Sequence, residues 1–340
     1  MEKRKQQLMK VIILLLIGST SYFMFNNYCF KNKNSLPFYK CMNIGNALDA
    51  PKNISWDVEI KKEYFDLIKE AGFDSVRIPV RFSDYAKNQP NYVLEEEFMK
   101  EIDGYIDYAL SKDLVVILDL HHFVEIMEEP TRYRDCFFRI WEQLSQRYQK
   151  YPDKLIFELL NEPTKNLKPD IWNEYLNEAI KIIRQTNKDR LIIIGSAEFS
   201  SLYSLKYLTL PKDKNIMVTF HFYEPNEFTF QGNIYHPGFE HLKNIPWRGT
   251  NSEVQYIKER FSIVKKWSDE NNIRVFLGEF GVNKNAPEED RVLWSKQIRK
   301  AAEEMDFAWG YWEFCSEFGV YNSKTFSWNK LLLNALVDEE

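Results

Sequence analysis

The sequence is poor in the residues that build metal centres and cross-linked scaffolds. It has only four cysteines, Cys29, Cys41, Cys136 and Cys315, and only five histidines among 340 residues. No CxxC pair occurs and no His/Cys cluster has zinc spacing, so neither a disulfide framework nor a structural zinc is implied. His121 and His122 are adjacent, and adjacent strand residues point to opposite faces, so they too are not expected to share a ligand. No metal and no cofactor is expected. Basic excess is also missing: the net charge is −5, the pI is near 5.8, and no basic stripe suggests nucleic acid as a partner. Low-complexity tracts and fixed-period repeats are absent. Hydrophobic residues make up 44% and charged residues 28%, which excludes disorder and allows a large core.

The longest apolar stretch lies at the N-terminus. Lys3, Arg4, Lys5 and Lys10 precede residues 11–25, VIILLLIGSTSYFMF. A basic region before a short apolar segment is the pattern of a signal peptide. From Leu8 to Phe25 it is also just long enough for an uncleaved membrane anchor. Residues 1–25 are therefore expected to be a signal peptide or N-terminal anchor, and residues 26–36 a short polar tether. The expected location is extracellular, secreted or held at the outer face of the membrane.

From there to the C-terminus, near-continuous apolar runs alternate with amphipathic segments. The runs are 41–45, 75–80, 115–121, 155–162, 191–197, 216–223, 275–281 and 309–314. Runs without polar alternation indicate strands buried on both faces, as in parallel sheets. Helices are expected over 56–72, 95–110, 133–148, 170–185, 288–304 and 328–337, with a short helical stretch after the fifth run. Thr250 and Glu253 form a plausible capping box for a further helix, and Pro287 suits the start of the helix at 288. Eight βα units in one chain predict an α/β protein, a (β/α)8 TIM barrel, as a single catalytic domain over residues 37–340, acting as a monomer.

Barrels of this kind carry their chemistry at the C-terminal ends of the strands. Those ends offer Asn46, Arg77, His121, His122, Asn161, Glu162, Ser200, His221, Tyr223, Glu279, Trp312 and Glu313. The fourth run ends abruptly at Asn161, Glu162 and Pro163, and proline is expected to stop the strand there. Any one of these polar residues could be a satisfied rim residue, but the set converges on one mouth. Glu162 and Glu279 are the key pair. Two carboxylates across a cleft are the machinery of glycoside hydrolysis, one protonated to serve the leaving oxygen and one ionised to attack the anomeric carbon. Arg77 can keep Glu279 ionised by its charge. Tyr223 can donate to the same carboxylate, Asn161 can bond a sugar 2-hydroxyl, and the histidines can orient hydroxyls. Trp312 offers a flat face to a sugar ring.

The motifs NIGNALDAP (43–51), AGFDSVRIPVRFS (71–83), VILDLHHF (116–123), FELLNEP (157–163), VTFHFYEP (218–225), LGEFGV (277–282) and YWEFCSEFGVY (311–321), in that order, resemble glycoside hydrolase family 5, the cellulase family of retaining (β/α)8 enzymes. The resemblance implies that Glu162 is the acid/base and Glu279 the nucleophile. Arg77, His121, Asn161, His221, Tyr223 and Trp312 match the remaining active-site positions, and Asn46, His122 and Tyr235 are expected to support substrate binding. The implied activity is that of an endo-β-1,4-glucanase, with a β-linked polysaccharide as partner. Departures occur where the family commonly has Trp-Asn after the fifth strand, here Phe199 and Ser200, and FTHQGxxW after the sixth, here with Phe230 and Tyr235. These leave mannan, xyloglucan or mixed-linkage glucan open as substrates, and a non-catalytic carbohydrate-binding barrel as a further alternative. Cys41 and Cys315 fall at opposite rims, too far apart to bridge, and are expected to be free.

Overall fold

The computed structural model describes residues 36–338 apart from positions 57, 88 and 235. The expected leader or anchor, nearly all of the tether, Cys29 and Tyr235 lie outside the described residues. From Phe38 onward the chain forms one compact unit. Among the described residues, no helix is long and apolar enough to cross a membrane.

Eight parallel strands close into a barrel: β1 (Lys40–Asn43), β2 (Ser75–Val80), β3 (Val115–Leu120), β4 (Leu155–Glu158), β5 (Ile192–Gly195), β6 (Ile216–His221), β7 (Arg274–Phe280) and β8 (Ala308–Tyr311). Each pairs with its sequence neighbours, and β8 pairs with β1. The expected (β/α)8 barrel is thus the fold. Helices on its outside are α1 (Lys62–Glu70), α2 (Glu96–Ser111), α3 (Pro130–Arg147), α4 (Pro169–Arg184), α5 (Asn251–Asn271), α6 (Glu288–Glu304) and α7 (Lys330–Val337). After β5 the layer thins to a 3-10 turn at Leu202–Tyr207, the short helical stretch expected there.

Local chemistry sets these boundaries. The apolar faces of α2 (Phe98, Ile102, Ile106) and α4 (Trp172, Leu176, Ile183) bury against the sheet at helical spacing. α5 begins with the capping box, Thr250 Oγ1 accepting from the Glu253 amide while the Glu253 carboxylate accepts from the Thr250 amide. Pro287 stands immediately before α6, whose first turn carries Glu288, Glu289 and Asp290, the sign that the helix dipole favours.

Three expectations need correction. β4 ends at Glu158, four residues before the expected end at Glu162. Beyond it only single bonds continue, Leu159 N–H to Ile193 O (3.1 Å) and Asn161 N–H to Leu120 O (2.9 Å). The chain then turns because Glu162 takes a left-handed conformation, φ 48°. The first helix starts at Lys62 rather than near Trp56, which frees Trp56 for the barrel mouth. His121 and His122 do not point apart: β3 stops at Leu120, His122 has φ 49°, and the two rings stand 4.3 Å apart. Alternation of side chains holds only inside a strand, and this pair lies just past one. Cys41, Cys136 and Cys315 are free thiols, as expected for Cys41 and Cys315.

Candidate active site

The site is organised around Arg77, fully buried in β2. Its guanidinium makes a bidentate pair with Glu158 (2.8 and 2.9 Å) and donates to Asn43 Oδ1 (3.0 Å), Asn161 Oδ1 (2.8 Å) and Glu279 Oε1 (2.8 Å). Asp119 Oδ2 lies a further 3.0 Å from it. One cation thus faces three buried carboxylates on β3, β4 and β7. A lone buried charge is costly, so such a group persists only when paired and fully hydrogen-bonded. Burial pushes Asp119 and Glu158 up to about 7 against the pull of Arg77. Asp119 in turn bonds His121 Nδ1. Burial and the nearby Arg77 hold His121 well below the ordinary histidine range, so it is neutral.

Glu279 behaves oppositely. Burial opposes its charge, but His221 and Arg77 prevail and hold its carboxyl well below the usual range. The Tyr223 hydroxyl donates to its other oxygen at 2.9 Å. Burial, with Glu279 and Glu162 nearby, keeps that phenol protonated. Glu162 is raised, first by burial and then by the charge of Glu279, with His221 pulling the other way. Its side chain is 27% exposed, against 6% for Glu279, so it faces the cavity. His221 stands between them, Nδ1 2.7 Å from Glu162 and 3.7 Å from Glu279. Burial lowers its pKa, but the two carboxylates outweigh this and the net shift is upward. One ligating atom each of Glu162, His221 and Glu279 falls within a 4.8 Å span.

A bulge aims Glu279. Along β6, Phe220 pairs with Leu277 but His221 pairs with Glu279, so Gly278 is skipped. β8 shows the same shift, Trp309 facing Leu277 and Tyr311 facing Phe280. The freed Gly278 carbonyl accepts from Asn43 Nδ2 at 3.0 Å. A Cβ at this glycine would come within 2.4 Å of Thr219 Oγ1 and 3.0 Å of His221 Nε2. Bulges beside active sites re-aim a side chain in this way.

Above these groups lies a cavity of about 790 Å³, a size suited to ligand binding. Asn46, His121, His122, Asn161, Glu162, His221, Tyr223, Glu279 and Trp312 all line it. The Trp312 ring stacks parallel to His121 at 5.6 Å. It packs where a Cβ on Gly45 would sit, 2.5 Å from the indole. Arg77 lies beneath the cavity rather than in its wall. Glu313 points away and accepts from the amides of Cys315, Ser316 and Phe318 at 2.8–3.1 Å, fixing the loop whose Cys315, Ser316 and Glu317 complete one wall.

Sequence reasoning missed several residues. Trp56 lines the mouth, edge-on to His122 at 5.7 Å. Asp49 is buried under it, accepts from the Asn46 and Ala47 amides at 3.1 and 2.8 Å, and lies 3.9 Å from His122. Asp49, His121 and His122 place one ligating atom each within a 4.8 Å span, a proximity the alternation argument had excluded. The Asp in NIGNALDAP was a usable signal for the first of these. Trp56 had none, since it read as helix. Phe199 and Phe230, which the sequence had marked as departures from the family's pattern, also reach the cavity. Phe199 is held there by consecutive left-handed residues Glu198, Phe199 and Ser200, with its amide on Pro163 O at 3.2 Å. Phe230 packs between Tyr223 (4.9 Å) and His236 (4.3 Å).

A closed (β/α)8 barrel with two unlike carboxylates at the C-terminal mouth defines the class as glycoside hydrolase. The chain belongs to the cellulase family, glycosyl hydrolase family 5, whose model matches residues 42–318. It is 34% identical over 303 residues to Endoglucanase H of Acetivibrio thermocellus, covering 86% of this chain but 32% of that protein's length. Among solved structures, it resembles the Clostridial cellulose synthase subunit Z from Clostridioides difficile. That match has 54% identity and a TM-score of 0.87, over 88% of this chain and 100% of the other. Thermotoga maritima Cel5A, solved with mannotriose, matches at 42% identity and a TM-score of 0.86, over 88% and 97%.

Proposed function

We propose that the protein is a retaining endo-β-1,4-glucanase. Glu162 and Glu279 carry the reaction. The observation behind this reading is that a carboxyl oxygen of Glu162 and one of Glu279 lie within 4.8 Å of each other with His221 between them, Glu279 held low by His221 and Arg77 and Glu162 raised by burial. Retaining enzymes hold their carboxyls about 5–5.5 Å apart, and inverting enzymes much farther.

Glu279, ionised, attacks the anomeric carbon while Glu162 gives its proton to the glycosidic oxygen. The bond to the leaving chain breaks and a glycosyl-Glu279 ester forms. Glu162, now ionised, takes a proton from water, which attacks the same carbon and releases Glu279. Tyr223 and Arg77 hold the nucleophile's two oxygens. Asn161 accepts from Arg77 through its oxygen, which leaves its NH2 to bond a sugar hydroxyl. Trp312 stacks on the ring bound beside the pair.

The named activity of Endoglucanase H and the name of the Clostridioides difficile protein, a cellulose synthase subunit, both favour a β-1,4-glucan. The latter also favours a role in trimming an extracellular polysaccharide as it leaves the cell, with residues 1–25 exporting or anchoring the enzyme. The mannotriose complex of the Thermotoga protein keeps mannan as a second reading. A reducing-end assay over β-glucans and mannans tests it, using wild type, Glu162→Gln and Glu279→Gln. Hydrolysis of β-1,4-glucan by wild type and loss of it in both variants is expected. Wild-type rates in either variant would sink the assignment.

A further inference from the structure

Among the described residues, the exposed aromatic rings are Tyr39, Phe199, Tyr203, Tyr207, Tyr256 and Phe326. Four of these six gather on one side of the barrel, on the segment after β5 and on α5, which packs against it. Scattered single rings on a surface need no explanation; a group of four, one of which lines the cavity, does.

Two of them are built into place. Tyr203 and Tyr256 come from different elements, yet both hydroxyls donate to the same oxygen, Glu224 Oε2, at 3.2 and 2.5 Å. The Arg260 guanidinium lies 4.0 Å over the Tyr256 ring and 6.0 Å over that of Tyr203. Trp294 Nε1 holds the Glu224 carbonyl at 3.2 Å. Glu224 itself lines the cavity. The rings are therefore fixed to a residue of the cavity wall, outside the lining itself, with Tyr203 45% exposed. Phe199 bridges the two regions: it lines the cavity and leads four residues later to Tyr203.

One bond ties this segment to the chain that carries Glu162. The Phe199 amide holds the carbonyl of Pro163, the residue after Glu162. In the activity proposed above Glu162 serves the leaving oxygen, so the leaving-group side is taken as part of the proposal, and the position of the cut tests it. We propose that Tyr203 and Tyr256, mounted on Glu224, form an aromatic track beyond the cavity that takes the reducing-end part of a long β-linked glucan. This inference rests on the activity proposed above. Apolar faces of pyranose rings are buried well against aromatic rings. Rings already fixed by their hydroxyls lose little freedom when a chain settles on them.

The test compares wild type with the Tyr203→Ala/Tyr256→Ala double variant on an aryl cellobioside and on cellohexaose labelled at its reducing end. The aryl substrate has no sugar on the leaving side and cannot reach the track. The ratio of kcat/KM for cellohexaose to that for the aryl cellobioside is expected to fall roughly tenfold. The cut should also move toward the labelled end, since weaker leaving-side sites hold fewer units. An unchanged ratio, as a protein-docking role for these rings would give, overturns the track while leaving the activity intact. So does a fallen ratio with an unmoved cut. If wild type cleaves neither substrate, the proposed activity itself fails and the track with it.

Discussion

Replacing Arg77 by methionine removes the one cation among three buried carboxylates while keeping most of the side-chain volume. In the native protein the guanidinium contacts Glu158, Asp119 and Glu279 at 2.8–3.0 Å. Removing one partner of a buried pair leaves an uncompensated charge, at a cost of about 3–5 kcal/mol. For a domain of this size that lowers Tm by roughly 10 °C. The loss should depend on pH, with a sign that follows from the neighbours. Asp119 and Glu158 are raised to about 7 even with Arg77 present. Without it they rise further, because the opposing attraction is gone. A carboxyl whose folded pKa exceeds its unfolded value contributes stability below the unfolded value and loses it as pH rises through the folded one. Arg77→Met should therefore be nearest to wild type around pH 5 and most destabilised around pH 8. Calorimetry of both proteins across that range is the assay. A Tm deficit that is equal at both ends, or larger at pH 5, would refute this account of the cluster.

Two further outcomes follow from the geometry around Glu279. Tyr223→Phe removes the hydrogen bond to Glu279, so the depressed pKa of that carboxyl rises; the acid limb of the kcat/KM profile should move to higher pH, with kcat down about tenfold, and an unmoved limb would contradict it. Gly278→Ala forces a Cβ against Thr219 and His221; it should cost about 1–3 kcal/mol in unfolding experiments and lower kcat more than it raises KM, whereas wild-type stability would mean the bulge is not tight.

Much of this was legible in the sequence, for definite reasons. Barrel strands are buried on both faces, so their apolar runs stand out and their order fixes the fold. Motif residues such as Glu162, Glu279, Tyr223 and His221 sit at the ends of those runs, where a barrel gathers them. What was lost depends on departures from regular backbone. The 4.3 Å approach of His121 and His122 depends on a left-handed residue just past β3, which strand alternation cannot anticipate. Glu158 stands inside an apolar run of the sequence, and its pairing with Arg77 depends on barrel closure. Gly278 belongs to a visible motif, but its part as a bulge appears only in the pairing of β7 with β6 and β8. Trp56 lay in a stretch whose apolar spacing mimicked a helix. Phe199 is the converse case: it was marked as a departure, and the structure places it at the mouth on strained backbone.

The central claim is that Glu279 forms a bond to sugar, and the stereochemistry of the first product tests it most directly. Proton NMR of a β-1,4-glucan oligomer, recorded within the first moments of hydrolysis and before mutarotation, should show the new reducing end as the β anomer. Initial release of the α anomer would mean a single displacement by water, and would contradict the pairing of Glu162 and Glu279 described here.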